Sequence, residues 1–168
     1  MISVTVSVFF VFLLLAGSGC QPSPLLSQTP SAPENLTVYR SYSPTKIQIL
    51  GLTEFVTDKE TEETKLKVYV SLLDSFGSQK KSPGVFRFEL YPHISRSGER
   101  KGRRTKIWPD INLTNAAGNN KYWKDFLRVY KFSLDFEPAG NQTYILQVTC
   151  LCPNGKRLLD EFEIKAAK

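Results

Sequence analysis

The chain has 168 residues, 41% of them hydrophobic and 12% aromatic, with a formal net charge of +6. That is ample apolar material for one packed core and a length suited to one domain. Three cysteines are too few for a disulfide-built scaffold, and the modest basic excess speaks to solubility and contact with anionic surfaces rather than to fold.

In chain order, the first element is apolar. Val4 to Leu15 carries no charge, Ala16-Gly17-Ser18-Gly19 is a run of small residues, and Cys20 follows. An apolar run of about a dozen residues suits the core of an export signal and falls short of the roughly 20 needed to cross a bilayer. The run has no polar helical face, which sets it apart from a surface-packed core helix. The Ala-Gly-Ser-Gly-Cys junction resembles the lipobox of bacterial lipoproteins. That resemblance implies that residues 1–19 are a cleaved signal peptide and that Cys20 becomes an acylated N-terminus. Two or three acyl chains on one residue anchor a protein stably, where a single chain binds only marginally. It further implies attachment to the cell membrane or, with neutral Gln21 beside the cysteine, an outer membrane. The domain would then stand in the periplasm or at the cell surface. Ordinary signal cleavage near the same point, giving a secreted chain without lipid, is the alternative.

Residues 20–44 are rich in Pro, Ser and Thr and lack an apolar period, as a flexible tether does. At about 3.3 Å per residue it reaches several tens of ångströms. From residue 45 to 168 the chain reads as one β domain. Ile47 and Ile49 share a side; Leu66, Val68, Val70 and Leu72 alternate with Lys65, Lys67, Tyr69 and Ser71; Phe86, Phe88 and Leu90 alternate with Arg87 and Glu89. The same period two runs through Tyr130, Phe132, Leu134 and Phe136, then Tyr144, Leu146, Val148, Cys150 and Cys152, then Phe162 and Ile164. One buried and one wet face is the mark of antiparallel sheets. Pro153-Asn154-Gly155-Lys156 predicts a tight hairpin in which Asn-Gly supplies positive φ. In the irregular segment 95–125, Asn119-Asn120 predicts a cap for a short helical turn near 119–126 that sets Tyr122, Trp123 and Phe126 on the core. The expected fold is all-β, a two-sheet antiparallel sandwich of about six or seven strands. In pattern and length, residues 45–166 resemble immunoglobulin and fibronectin type III modules.

The strongest charge feature is Ser95 to Lys106. Arg96, Arg100, Lys101, Arg103, Arg104 and Lys106 are interrupted by Glu99 as the one acid. Such a segment is either a solvated loop or a contact for lipid headgroups, an acidic envelope polymer or an acidic protein face. Nucleic acid does not fit an exported chain, and no aromatics are interleaved to stack bases. Cys150 and Cys152 lie two apart on a strand, at about 6.5–7 Å, awkward for a disulfide. They read as core packing, with a thiol or metal carrier as the alternative. His93 ends a strand and has no G-x-S-x-G elbow to serve. Asp110-Ile-Asn112 is not a calcium loop, since the twelfth position is Lys121 rather than a bidentate Glu. Trp108 and Trp123 read as core anchors or as an aromatic platform. Asn35, Asn112 and Asn141 each begin a glycosylation sequon.

These features predict a membrane-anchored envelope lipoprotein with a non-enzymatic domain that binds an envelope component or serves a structural role. No cofactor is expected beyond the lipid on Cys20. A secreted glycoprotein binding module and an unrecognised enzyme are the competing readings.

Overall fold

The computed structural model describes residues 41–59, 61–96 and 98–166. The predicted signal, Cys20, Asn35 and most of the predicted tether lie outside them. The order is β1 (Lys46–Ile49), β2 (Glu54–Thr57), β3 (Thr64–Leu73), β4 (Val85–Pro92), β5 (Lys106–Ile107), β6 (Ile111–Asn112), α1 (Ala116–Tyr122), β7 (Trp123–Lys124), β8 (Val129–Asp135), β9 (Thr143–Leu151) and β10 (Arg157–Lys165). Seven strands have four residues or more, and the two sheets are antiparallel throughout. One runs β1-β3-β8-β7 and the other β10-β9-β4-β5. The architecture is the expected all-β sandwich.

Each sheet has one broken edge. β1 and β2 both pair with β3, at opposite ends of it. The break between them is a turn in which Thr53 N–H donates to Leu50 O at 3.0 Å. The Thr53 hydroxyl then accepts from Tyr69 N–H at 3.1 Å, restoring the ladder bond that the turn removes. β5 and β6 likewise share one edge of β4, with Pro109, which has no N–H to give, between them. Short, bent edges resist pairing with other chains. The sheets meet where Ile49 N–H on β1 donates to the Asp160 carboxylate on β10 at 2.7 Å.

The alternating positions read from the sequence fill the space between the sheets. Leu66, Val68, Val70 and Leu72 of β3 and Phe86, Phe88 and Leu90 of β4 are fully buried. So are Tyr130 and Phe132 of β8, and Leu146, Val148 and Cys150 of β9. Phe132 sits at the centre, 4.7 Å from the Phe88 ring and 5.2 Å from Phe86. At the start of β9 the Tyr144 hydroxyl accepts from Ala139 N–H and donates to Gln142 Oε1, both at 3.0 Å, which fixes the β8–β9 connection.

The sandwich has two distinct ends. At one, Ser75 Oγ donates to Ser41 O at 2.9 Å, Pro44 is buried, and Arg128 donates to Gln79 O. Residues 41–44, predicted as tether, are thus docked on the domain. This tether end also holds α1 and the β9–β10 hairpin, where Ser43, Pro83 and Pro153 line one depression. At the other end, His93 N–H donates to Thr143 O and Phe136 N–H to Thr64 O, so the β4–β5, β8–β9 and β2–β3 connections converge there.

The local expectations needed three corrections. The helix is Ala116–Tyr122, capped by Asn115, whose side chain accepts from Gly118 N–H at 2.7 Å; Asn119 is buried within it instead of capping it. Tyr122 and Trp123 pack on the core, but Phe126 is 97% exposed. The chain leaves the helix at extended Trp123 (φ −73°, ψ 135°), so a helical spacing no longer applies at Phe126. In the last hairpin only Gly155 has positive φ, at 79°. Gly155 N–H donates to Cys152 O, and Cys152 N–H to Lys156 O, both at 2.9 Å. This is a three-residue loop with Pro153 entering the turn and glycine at the left-handed position, rather than the two-residue form.

The β3–β4 loop is organised by Asp74. Its Oδ1 accepts from Phe76 and Ser78 N–H at 2.9 Å, and Lys80 Nζ lies 3.2 Å from Oδ2. Burial raises this carboxyl, but the hydrogen bonds from Ser78, Lys80 and Phe76 outweigh it and hold the group below the ordinary carboxylate value. A depressed folded-state value contributes stability above the unfolded value, near pH 4, and loses it as pH falls through the folded one. Asp74→Asn is therefore expected to flatten the decline in melting temperature between about pH 4 and pH 2. An unchanged slope would assign acid lability to other carboxylates, such as Asp110.

Candidate functional site

β4 continues past Pro92 as a hairpin towards β5. Ile94 N–H donates to Arg100 O at 2.9 Å and Gly102 N–H to Pro92 O at 3.0 Å, and His93 bridges Lys101. A Cβ at residue 102 would lie 2.8 Å from Pro92 Cγ, so the glycine lets the two arms close. Arg96 takes positive φ, 62°, near the tip.

The structure divides the six predicted basic residues. Lys101 and Arg104 turn back onto the outer face of the β10-β9-β4 sheet. There the register sets Glu89, Gln147 and Glu161 side by side on three strands. Arg104 Nη1 donates to Glu89 Oε1 at 2.5 Å, and Gln147 Nε2 donates to Glu89 Oε2 at 3.1 Å. Lys101 Nζ donates to Gln147 Oε1 at 2.8 Å and also to Glu161 Oε1, while lying over the Tyr91 ring. The Glu89 hydrogen bond is the main cause that raises the Arg104 guanidinium above its ordinary value. These two cations are already neutralised, and they hold the hairpin on the sheet. Arg96, Arg100 and Arg103 are exposed around the hairpin. Lys106 is exposed on β5 and lines an open depression with Lys65, Glu63, Asp135 and Glu137. The run is therefore split: two of its cations are engaged on the sheet, three arginines are exposed around the hairpin, and one lysine is exposed on β5.

The partners Glu89, Glu161 and the amide Gln147 between them were missed in the sequence. Alternation marks them as outward-facing, but only the strand register aligns them.

The remaining chemistry-bearing side chains are placed separately. His93 Nε2 is 3.9 Å from Glu163 Oε2. Asp110 takes a two-pronged contact from Arg87 at 2.8–2.9 Å, which outweighs partial burial and holds its carboxyl below the ordinary value. His93 and Asp110 thus serve different partners. Cys150 and Cys152 are free thiols within the core, 0% and 3% exposed. Hydrogen bonding to Cys152 and then burial push the Cys150 thiol far above its ordinary value, which suits an inert packing role. Among the described residues, no group of three or more His, Cys, Asp or Glu side chains is arranged to hold a metal ion.

Trp108 and Trp123 do not form one platform. Trp108 is buried, donating to Asp135 O at 3.0 Å. Trp123 packs edge-on against Tyr130 at 5.1 Å, near the tether end. A largely apolar groove of about 640 Å³ lies between α1 and Ser82-Pro83 and carries no acid–base pair among its lining residues. No helix among the described residues is long and apolar enough to cross a membrane. No family model, curated protein or solved structure matches this chain.

Proposed function

We propose that the chain is a membrane-anchored envelope lipoprotein, acylated at Cys20, whose non-enzymatic sandwich holds an anionic envelope component. The carrying observation is the polarity of the domain. The tether joins at the end where Ser41 meets Ser75, and exposed Arg96, Arg100 and Arg103 stand at the opposite end. An anchored domain so arranged presents its cationic tip away from its own attachment point. An acidic polymer or acidic protein face then fits the tip better than the headgroups of the anchoring leaflet do. The likeness to immunoglobulin and fibronectin type III modules is supported by the strand order and by the Tyr144 contact at the start of β9.

Two measurements test this. Intact mass of the membrane fraction should give an N-terminal Cys20 carrying acyl chains. In pull-downs with an acidic envelope polysaccharide, Arg96→Glu, Arg100→Glu and Arg103→Glu together should weaken binding about tenfold or more and flatten its salt dependence. Unchanged retention would refute the tip as the contact. Arg104 is a poor test residue, because reversing it also strands Glu89.

A secreted glycoprotein is the second reading, favoured by the exposure of the sequon residues Asn112 and Asn141. Endoglycosidase digestion would lower the apparent mass only in that case.

A further inference from the structure

The end of the sandwich where the tether joins has a composition unlike the rest of the surface. Phe126 is 97% exposed, Phe76 72% and Tyr42 56%. β3 leaves its sheet at Leu73 beside the start of β8, and Arg128 Nη2 donates to Gln79 O at 3.3 Å, so the turns carrying Phe76 and Phe126 are neighbours. Tyr42 packs 6.2 Å from the Phe76 ring, with Lys80 Nζ 5.3 Å from the Tyr42 centroid. Exposed Lys46, Lys124 and Arg128 stand on the same end. The acids there are exposed Asp125 and buried Asp74, and Asp74 is already engaged by Lys80.

Protruding aromatic rings ringed by cations match the requirements of a bilayer interface. The rings enter the acyl boundary, and the cations meet anionic headgroups within a Debye length. Isolated exposed apolar residues are ordinary, but a Tyr42–Phe76 pair with Phe126 on the neighbouring turn puts three exposed aromatics on one end. The geometry points to this end as a lipid-docking surface that seats the sandwich on an anionic bilayer. The position of the tether supplies the second argument. The described chain begins at Ser41, next to Tyr42 in the patch, so anchoring at Cys20 would tether the domain from this end. The inference rests on the proposed anchoring and adds to it. The tether would not be a loose leash, because the domain would stand upright with Arg96, Arg100 and Arg103 facing outward.

The test uses the processed chain, residues 20–168, carrying Cys20→Ser, so that docking is read without any acyl chain. Co-sedimentation with phosphatidylglycerol vesicles should exceed that with phosphatidylcholine vesicles and fall as salt rises. Phe76→Ser with Phe126→Ser should reduce it about tenfold, and Lys124→Glu should reduce it less. Lys165→Glu, an exposed cation at the far end beside Thr143, should leave it unchanged. Both phenylalanines are exposed, so circular dichroism melts of the variants should match the parent. Three results would overturn the inference: no vesicle binding, binding indifferent to the phenylalanines, or a patch effect confined to self-association in sedimentation velocity without vesicles. The anchoring reading fails separately, if the membrane-fraction mass shows Cys20 without lipid.

Discussion

Phe132→Ala is expected to destabilise the domain by about 3–5 kcal/mol, whereas Phe126→Ala, six residues earlier, should stay within about 0.5 kcal/mol of the parent. The two substitutions remove the same atoms. Phe132 is fully buried and touches three rings from two other elements: Phe86 and Phe88 on β4, at 5.2 and 4.7 Å, and Tyr122 on α1, at 5.2 Å. Its removal leaves a void between two sheets that cannot close without breaking β3–β8 or β4–β9 pairing, so the cavity cost adds to the transfer cost. Phe126 keeps its contact with water, folded or unfolded. Chemical denaturation of both variants checks this, with a change in midpoint at constant slope as the signature of lost stability. For a domain of this size, the Phe132 change corresponds to a fall in melting temperature of roughly 10 °C or more. Equal losses at the two positions would mean that Phe126 is covered in solution, as it would be in a self-associated form.

The sandwich was legible in the sequence because period-two alternation is local. Leu66 to Leu72, Phe86 to Leu90 and Tyr130 to Leu134 each state which face they bury without reference to any other strand. A different local signal misplaced Phe126. In KYWKDFLR a helical spacing puts Tyr122, Trp123 and Phe126 on one side, but the helix ends at Tyr122 and the chain turns extended. The cap was missed for a related reason. Two adjacent asparagines drew attention to 119–120, while Asn115, ahead of Ala116-Ala117, meets the capping requirement. The two ends of the domain were harder still. That six cations divide into two engaged by Glu89 and Glu161, three exposed around the hairpin and one on β5 depends on a register linking residues 58 apart, as in the Gln147–Glu89 contact. No window of sequence contains both partners. The exposed rings at one end, the Tyr42–Phe76 pair and Phe126, likewise come from three separate segments.

Asn119 is the residue whose role the sequence concealed most, and its removal should cost about 2–4 kcal/mol despite the loss of only a small side chain. Its Nδ2 donates to Ser82 O and Leu113 O, both at 3.0 Å, and its Oδ1 accepts from the Tyr130 hydroxyl at 3.0 Å. The Tyr130 hydroxyl in turn accepts from Ser82 N–H at 2.8 Å. One amide thus ties α1 to the β3–β4 loop, to the segment after β6 and to the start of β8. Asn119→Ala would leave the Leu113 carbonyl unpaired in a buried site, and desolvation of each such group costs about 1–3 kcal/mol. Asn119→Asp should be at least as harmful at neutral pH, because it replaces two donors with a carboxylate facing two carbonyls. Tyr130→Phe removes the acceptor for Ser82 N–H and should cost less, about 1–2 kcal/mol. The double variant tests whether these groups act together. A summed loss smaller than that of the separate changes is expected, with a coupling of about 0.5 kcal/mol or more measured by denaturation. Simple additivity would mean that the amide and the phenol hold their neighbours independently, and that α1 is fixed by the packing of Tyr122 rather than by this polar node.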